Sequence, residues 1–194
     1  MIGIIGGTHI LDSEIFSEMR KLDVKTPYVI GMSSVGSLRD DISIPAIIIP
    51  DDYIDFFSGV TIYNDRLVHV TPGFDAYLRD VLIKFAKKKS KFPVLERGVY
   101  FQTRGPRLET RAEIRMIKNF ADCVGMTAGS EATIAKELGL RYATICTMDN
   151  YAHGIKGASV DYEEIVRKAK QNAEICLDIV GSAVKFIWED ELNF

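Results

Sequence analysis

Cysteine is scarce and unpatterned in this 194-residue chain. Cys123, Cys146 and Cys176 are widely separated and odd in number, so the sequence offers neither a disulfide framework nor the Cys/His spacing of a zinc site. Buried, reduced thiols are the expectation, and no metal is expected. Long hydrophobic runs are missing as well: none approaches the ~18 residues that a membrane-spanning helix needs. The apolar start is too short for a secretory leader and runs straight into Gly6-Gly7, so a cytoplasmic location is expected. There is also no surplus of one charge. With 24 Lys and Arg against 27 Asp and Glu, the net charge of -3 gives no reason to expect nucleic acid or an anionic membrane as partner. Internal repeats, low-complexity tracts and interdomain linkers are absent. A chain of this length suffices for one well-buried domain and is short for two, so residues 1–194 are read as a single domain.

What is present is an alternation of strand and helix signals. Ile2 to Ile5, Tyr28 to Met32, Ala46 to Ile49, Val68 to Val70, Val99 to Gln102, Val124 to Met126 and Tyr142 to Thr147 read as strands. The first of these, a continuous apolar run, predicts a buried strand. Helical spacing of apolar residues marks Asp12 to Leu22, Phe74 to Lys89, Thr110 to Phe120, Ser130 to Leu138 and Asp161 to about Trp188. Thr110 and Glu113 have the spacing of a capping box, and Gly139 is placed to end a helix. Many short strands with intervening helices predict an α/β fold, a mixed β-sheet flanked by helices on both faces.

The glycines after the first strand, Gly6-Gly7-Thr8, superficially suggest a dinucleotide-binding turn. Ile10-Leu11 stands where that pattern requires its third glycine, which argues against a nicotinamide site. Two readings stay open: a tight turn, or an anion loop in which backbone N–H groups and the Thr8 hydroxyl approach a phosphate.

The most informative stretch is Gly105 to Thr127, GPRLETRAEIRMIKNFADCVGMT, followed by Cys146-Thr147-Met148-Asp149-Asn150-Tyr151. Together with Met32-Ser33-Ser34-Val35-Gly36-Ser37-Leu38, these segments resemble the trimeric purine nucleoside phosphorylase and methylthioadenosine phosphorylase family. The resemblance implies cleavage of a purine N-glycosidic bond by inorganic phosphate as co-substrate, without a metal or organic cofactor. It also implies a homo-oligomer, a trimer or hexamer. By that resemblance Glu109 and Asn150 hold the base and carry the catalytic role. Leu108, Gly125 and Met126 line the substrate, with Tyr162 near the 5′ end and His69 reaching across from a neighbouring subunit. Thr8, Ser33, Ser34 and Thr127 meet phosphate.

A 6-oxopurine offers N1–H as donor and O6 and N7 as acceptors. A carboxylate suits the first and a carboxamide the others, so Glu109 with Asn150 matches the 6-oxopurine members. A shift of one residue would put Asp149 in place of Asn150 and favour a 6-aminopurine, as in methylthioadenosine phosphorylases. Only 24 residues separate Thr8 from Ser33, and the Arg-His-Gly of the family's phosphate loop occurs nowhere. Three outcomes follow. Arg39, Arg104 or Arg107 replaces the lost grip on phosphate; water replaces phosphate, giving a nucleosidase; or the protein binds nucleoside without catalysis.

Overall fold

In the computed structural model, residues 2–6, 28–57 and 59–192 are described. The strands are β1 (Ile2–Gly6), β2 (Tyr28–Ser37), β3 (Ala46–Ile48), β4 (Asp52–Asp55), β5 (Val94–Leu95), β6 (Val99–Gln102), β7 (Cys123–Gly125) and β8 (Arg141–Tyr151). The helices are α1 (Ala76–Lys89), α2 (Arg111–Ile117), α3 (Ala128–Glu137) and α4 (Tyr162–Leu192), with a single 3-10 turn at Ile155–Gly157. The helix expected over Asp12 to Leu22, and Thr8, lie outside the described residues.

The strands form one mixed sheet in the order β4-β6-β7-β2-β8-β3-β5, with β1 beside β2. Its spine is the parallel pair β2 and β8, whose partners run from Tyr28 opposite Arg141 to Ser37 opposite Tyr151. β1 runs parallel to the first half of β2, and β7 antiparallel to its end. Successive side chains on a strand face opposite ways. Ile30 and Met32 of β2, with Ala143 and Ile145 of β8, therefore pack with Leu78 and Leu82 of α1 and Leu177 and Val180 of α4. On the other face Val35, Cys146 and Met148 pack with Ala128 of α3. Burial on both faces explains why these two strands are almost continuously apolar. All three cysteines are buried and free, as expected.

Helix α3 is tied to the sheet by buried polar groups. The Tyr100 hydroxyl accepts from the N–H of Thr127 at 3.1 Å and Ala128 at 3.4 Å. Gln102 Oε1 accepts from Gly129 at 2.7 Å and Ser130 at 3.2 Å. The donors that a helix start normally leaves unmet are thus satisfied from β6. The capping box of α2 also forms. Thr110 Oγ1 accepts from the Glu113 N–H at 3.2 Å, and Glu113 Oε2 accepts from the Thr110 N–H at 2.7 Å. Gly139 follows α3 at φ 72, the left-handed conformation suited to a helix stop.

Several expectations need correction. Val68 to Val70 forms no strand; Val68 and Leu67 are exposed, and nothing in the described sheet pairs with them. β1 forms but is only partly buried, with Ile5 41% exposed, because its one partner among the described residues is β2. β8 continues past Thr147 to Tyr151 because β2 extends beside it to Ser37. β4 and β5 were not legible. β4 begins and ends on aspartate, and β5 has two residues, so neither shows a period.

Two measurements check this account. Tyr100→Phe removes the acceptor for two amides beneath α3 and is expected to cost about 1–3 kcal/mol in urea denaturation; an unchanged midpoint would mean that these amides find other partners. The Arg107 guanidinium, and then the Thr110 amide, hold the Glu113 carboxyl down at about 2, against an ordinary 4.5. A carboxyl lowered on folding stabilises above its unfolded value and loses that contribution as pH falls toward the folded one. Stability is therefore expected to decline between about pH 4.5 and 2, and less steeply in Glu113→Gln.

Candidate active site

The carboxyl ends of β2, β7 and β8 open onto a cavity of ≈ 260 Å³. Ser33, Ser34 and Gly36 come from β2. Gly125, Met126 and Thr127 come from the end of β7 and the start of α3. Leu108 and Glu109 come from the loop after β6, and Asn150 from the end of β8. Tyr162, Ile165, Val166 and Ala169 of α4 complete an apolar wall. Nine of the eleven residues expected at the site thus share one cavity. His69 stands outside it on an exposed stretch, and Thr8 is not among the described residues.

The decisive local feature is an irregularity in the β2–β8 register. Val35 pairs with Met148 and Gly36 with Asn150, so Asp149 is an extra residue on β8. Its carboxylate accepts from the Thr147 hydroxyl and from Asn172 Nδ2 of α4, both at 2.7 Å. Burial pushes its pKa up. It lines a separate cavity of ≈ 700 Å³. The adjacent Asn150 lines the smaller cavity, so the residue paired with Glu109 is an amide and not the aspartate.

Glu109 Oε1 accepts from the Thr103 hydroxyl at 2.5 Å, leaving Oε2 for a ligand. Thr103 is anchored by its own N–H to the Gly125 carbonyl at 2.9 Å. Gly105, two residues on, has φ 58, and a Cβ there would stand 2.6 Å from Met126 Sδ. Only glycine allows the Gly-Pro loop to lie this close to Met126 in that conformation. Asn150 Nδ2 donates to the Tyr151 carbonyl at 2.9 Å. Ser33 and Thr127 bring their hydroxyl oxygens within 3.4 Å of each other. Behind Thr127, Glu131 is largely buried and accepts from the Tyr142 hydroxyl at 2.5 Å. Burial pushes the Glu131 pKa up.

The cavity carries no lysine or arginine among its described lining residues, and Glu109 is the one Asp or Glu among them. The amides of α3 are already engaged by Tyr100 and Gln102. Of the three arginines considered as substitutes, Arg39 is paired with Asp41 and Asp122, and Arg107 with Glu113. Arg104 and Arg107 line a neighbouring cavity of ≈ 400 Å³ that shares Glu109. Sequence reasoning missed Thr103, whose position next to a strand end was its only signal. Beyond Tyr162 it also missed the rest of the α4 wall, Ile165, Val166 and Ala169, hidden in an ordinary helical stripe, and His153, which lines the cavity from the loop after β8.

Residues 13–185 match the Phosphorylase superfamily. The chain is 56% identical over 241 aligned residues to a probable 6-oxopurine nucleoside phosphorylase of Archaeoglobus fulgidus, covering 100% of this chain and 99% of that one. Aligning 194 residues over 241 positions leaves at least 47 positions of that relative without a counterpart here. It is 34% identical over 173 residues to a probable S-methyl-5′-thioinosine phosphorylase of Methanocaldococcus jannaschii, covering 87% of this chain and 67% of that protein. The fold is similar to that of methylthioadenosine phosphorylase from Schistosoma mansoni in complex with adenine. The TM-score is 0.81 at 19% identity, over 96% of this chain and 91% of that one. The chain belongs to the phosphorylase superfamily, in its purine nucleoside phosphorylase and methylthioadenosine phosphorylase group.

Proposed function

We propose that this protein cleaves the N-glycosidic bond of a 6-oxopurine nucleoside, with inorganic phosphate as co-substrate, to give free base and sugar 1-phosphate. The observation that carries this reading is the presence of Glu109 and Asn150 in one cavity, with Asp149 turned elsewhere. The free oxygen of Glu109 accepts the purine N1–H, and the Asn150 amide donates to O6 or N7. As the bond breaks, negative charge develops on the purine, and a donor fixed at that edge stabilises it. Leu108, Gly125 and Met126 flank the sugar, and Ser33, Ser34, Thr127 and Thr8 serve the phosphate end. Tyr162 and its apolar neighbours on α4 suit an apolar 5′ substituent such as methylthio better than a hydroxyl. His69, exposed in one chain, contributes from a neighbouring copy in a trimer or hexamer. The chain works as a single domain in the cytoplasm, with no metal or organic cofactor.

A second reading has one observation in its favour. The hydroxyl end lacks a cation among its described lining residues, and a bidentate arginine is a principal means of holding an oxyanion. Water then takes the place of phosphate and the protein is a nucleosidase.

Release of hypoxanthine from inosine and from methylthioinosine, each with and without phosphate, separates the two. Phosphate-dependent release is expected; equal release without phosphate establishes the nucleosidase, and no release from either substrate leaves a nucleoside-binding protein. Asn150→Asp is expected to lower the preference for inosine over adenosine by about tenfold, the effect of one mismatched buried hydrogen-bonding group. An unchanged preference would remove Asn150 from base recognition.

A further inference from the structure

Arg111 Nε donates to His153 Nε2 at 3.1 Å. A guanidinium has donors and no acceptor, so Nε2 must offer its lone pair, and a neutral ring then carries its proton on Nδ1. The two neutral forms of an imidazole lie close in energy, so one charged donor is enough to choose between them. The contact is supported from both sides. Gly154 has φ 91, and a Cβ there would stand 3.5 Å from Arg111 Cγ, so the arginine stem lies against the glycine backbone. The turn carrying His153 is held by Ala152 N–H to the Ser37 carbonyl at 2.9 Å and Gly154 N–H to the Ala158 carbonyl at 2.8 Å.

The pair also joins the two segments that matter for the base. Arg111 follows Glu109 by two residues, His153 follows Asn150 by three, and His153 lines the same cavity as Glu109 and Asn150. We propose that Arg111 locks His153 as a ring N–H donor, and that this donor selects 6-oxopurines against 6-aminopurines. The inference rests on the functional reading above and deepens it. A 6-oxopurine meets the donor with O6, the one position at which the two base classes differ, since N7 accepts in both. A 6-aminopurine sets its N6–H groups against it, leaving donors facing donors. Arg111 is a positioning residue here, acting through the histidine.

The ring state is read by nitrogen-edited NMR of the three histidines, with His153→Ala identifying the signal. The wild-type ring is expected to be protonated on Nδ1, and that of Arg111→Leu to shift toward Nε2. Calorimetry with hypoxanthine and adenine reads selectivity. Arg111→Leu and His153→Ala are each expected to reduce the hypoxanthine-to-adenine affinity ratio by about tenfold, the effect of one mismatched hydrogen-bonding group. Arg111→Lys, which keeps a charged donor, is expected to retain most of the ratio. A wild-type ring protonated on Nε2, or an Arg111→Leu protein with hypoxanthine bound and the ratio unchanged, overturns the inference while leaving the functional reading intact. Failure of wild-type protein to bind either base overturns the functional reading and the selectivity with it, while the ring spectrum still decides the tautomer.

Discussion

The parallel pairing of β2 with β8 is the constraint on which the rest of the structure depends. It fixes which side chains face α1 and α4 and which face α3, and so determines both halves of the core. Near its carboxyl end the register slips by one residue, at Asp149. Without that extra residue, the positions beyond Met148 would stand differently against β2. With it, the aspartate goes to Asn172 beneath α4 while Asn150 takes its place in the cavity with Ser33, Ser34 and Gly36. Ligand sites in sheets of this kind form at the carboxyl ends of parallel strands, and the bulge determines which polar group is presented there.

The same economy of buried polar groups limits what the site can do with an anion. A helix start normally offers free N–H groups to a phosphate. Here α3 has given its amides to the Tyr100 hydroxyl and to Gln102, both buried in β6. Three hydroxyls line that end, and two of them are themselves engaged, Ser34 with the Asp149 carboxyl and Thr127 with that of Glu131. Glu131 stands immediately behind Thr127, and burial raises its pKa. The other end carries more polar groups, with the Glu109 carboxylate on one segment and the Asn150 amide and His153 imidazole on another.

Much of this was legible in the sequence because several signals agreed. The alternation of apolar runs with helical stripes indicated a sheet covered on both faces, and Thr110 with Glu113 marked the start of α2 through a reciprocal hydrogen bond that depends only on local spacing. Glu109 and Asn150 were identified through the segments around them, not through their own types. The opposite held where structure depends on distant partners. Val-His-Val at 68–70 has the alternation of a strand and no partner strand among the described residues, while Asp52–Asp55 lacks the alternation and pairs in register with β6. The His153 ring acquires meaning only through Arg111, 42 residues away. No local pattern in either segment indicates that contact.

The most direct test is a crystal structure with hypoxanthine bound. The account requires the Glu109 carboxylate at N1 and the Asn150 amide at O6 or N7 of one purine, both within hydrogen-bonding distance. A base seated in another cavity, or in this one with either side chain out of reach, would contradict it.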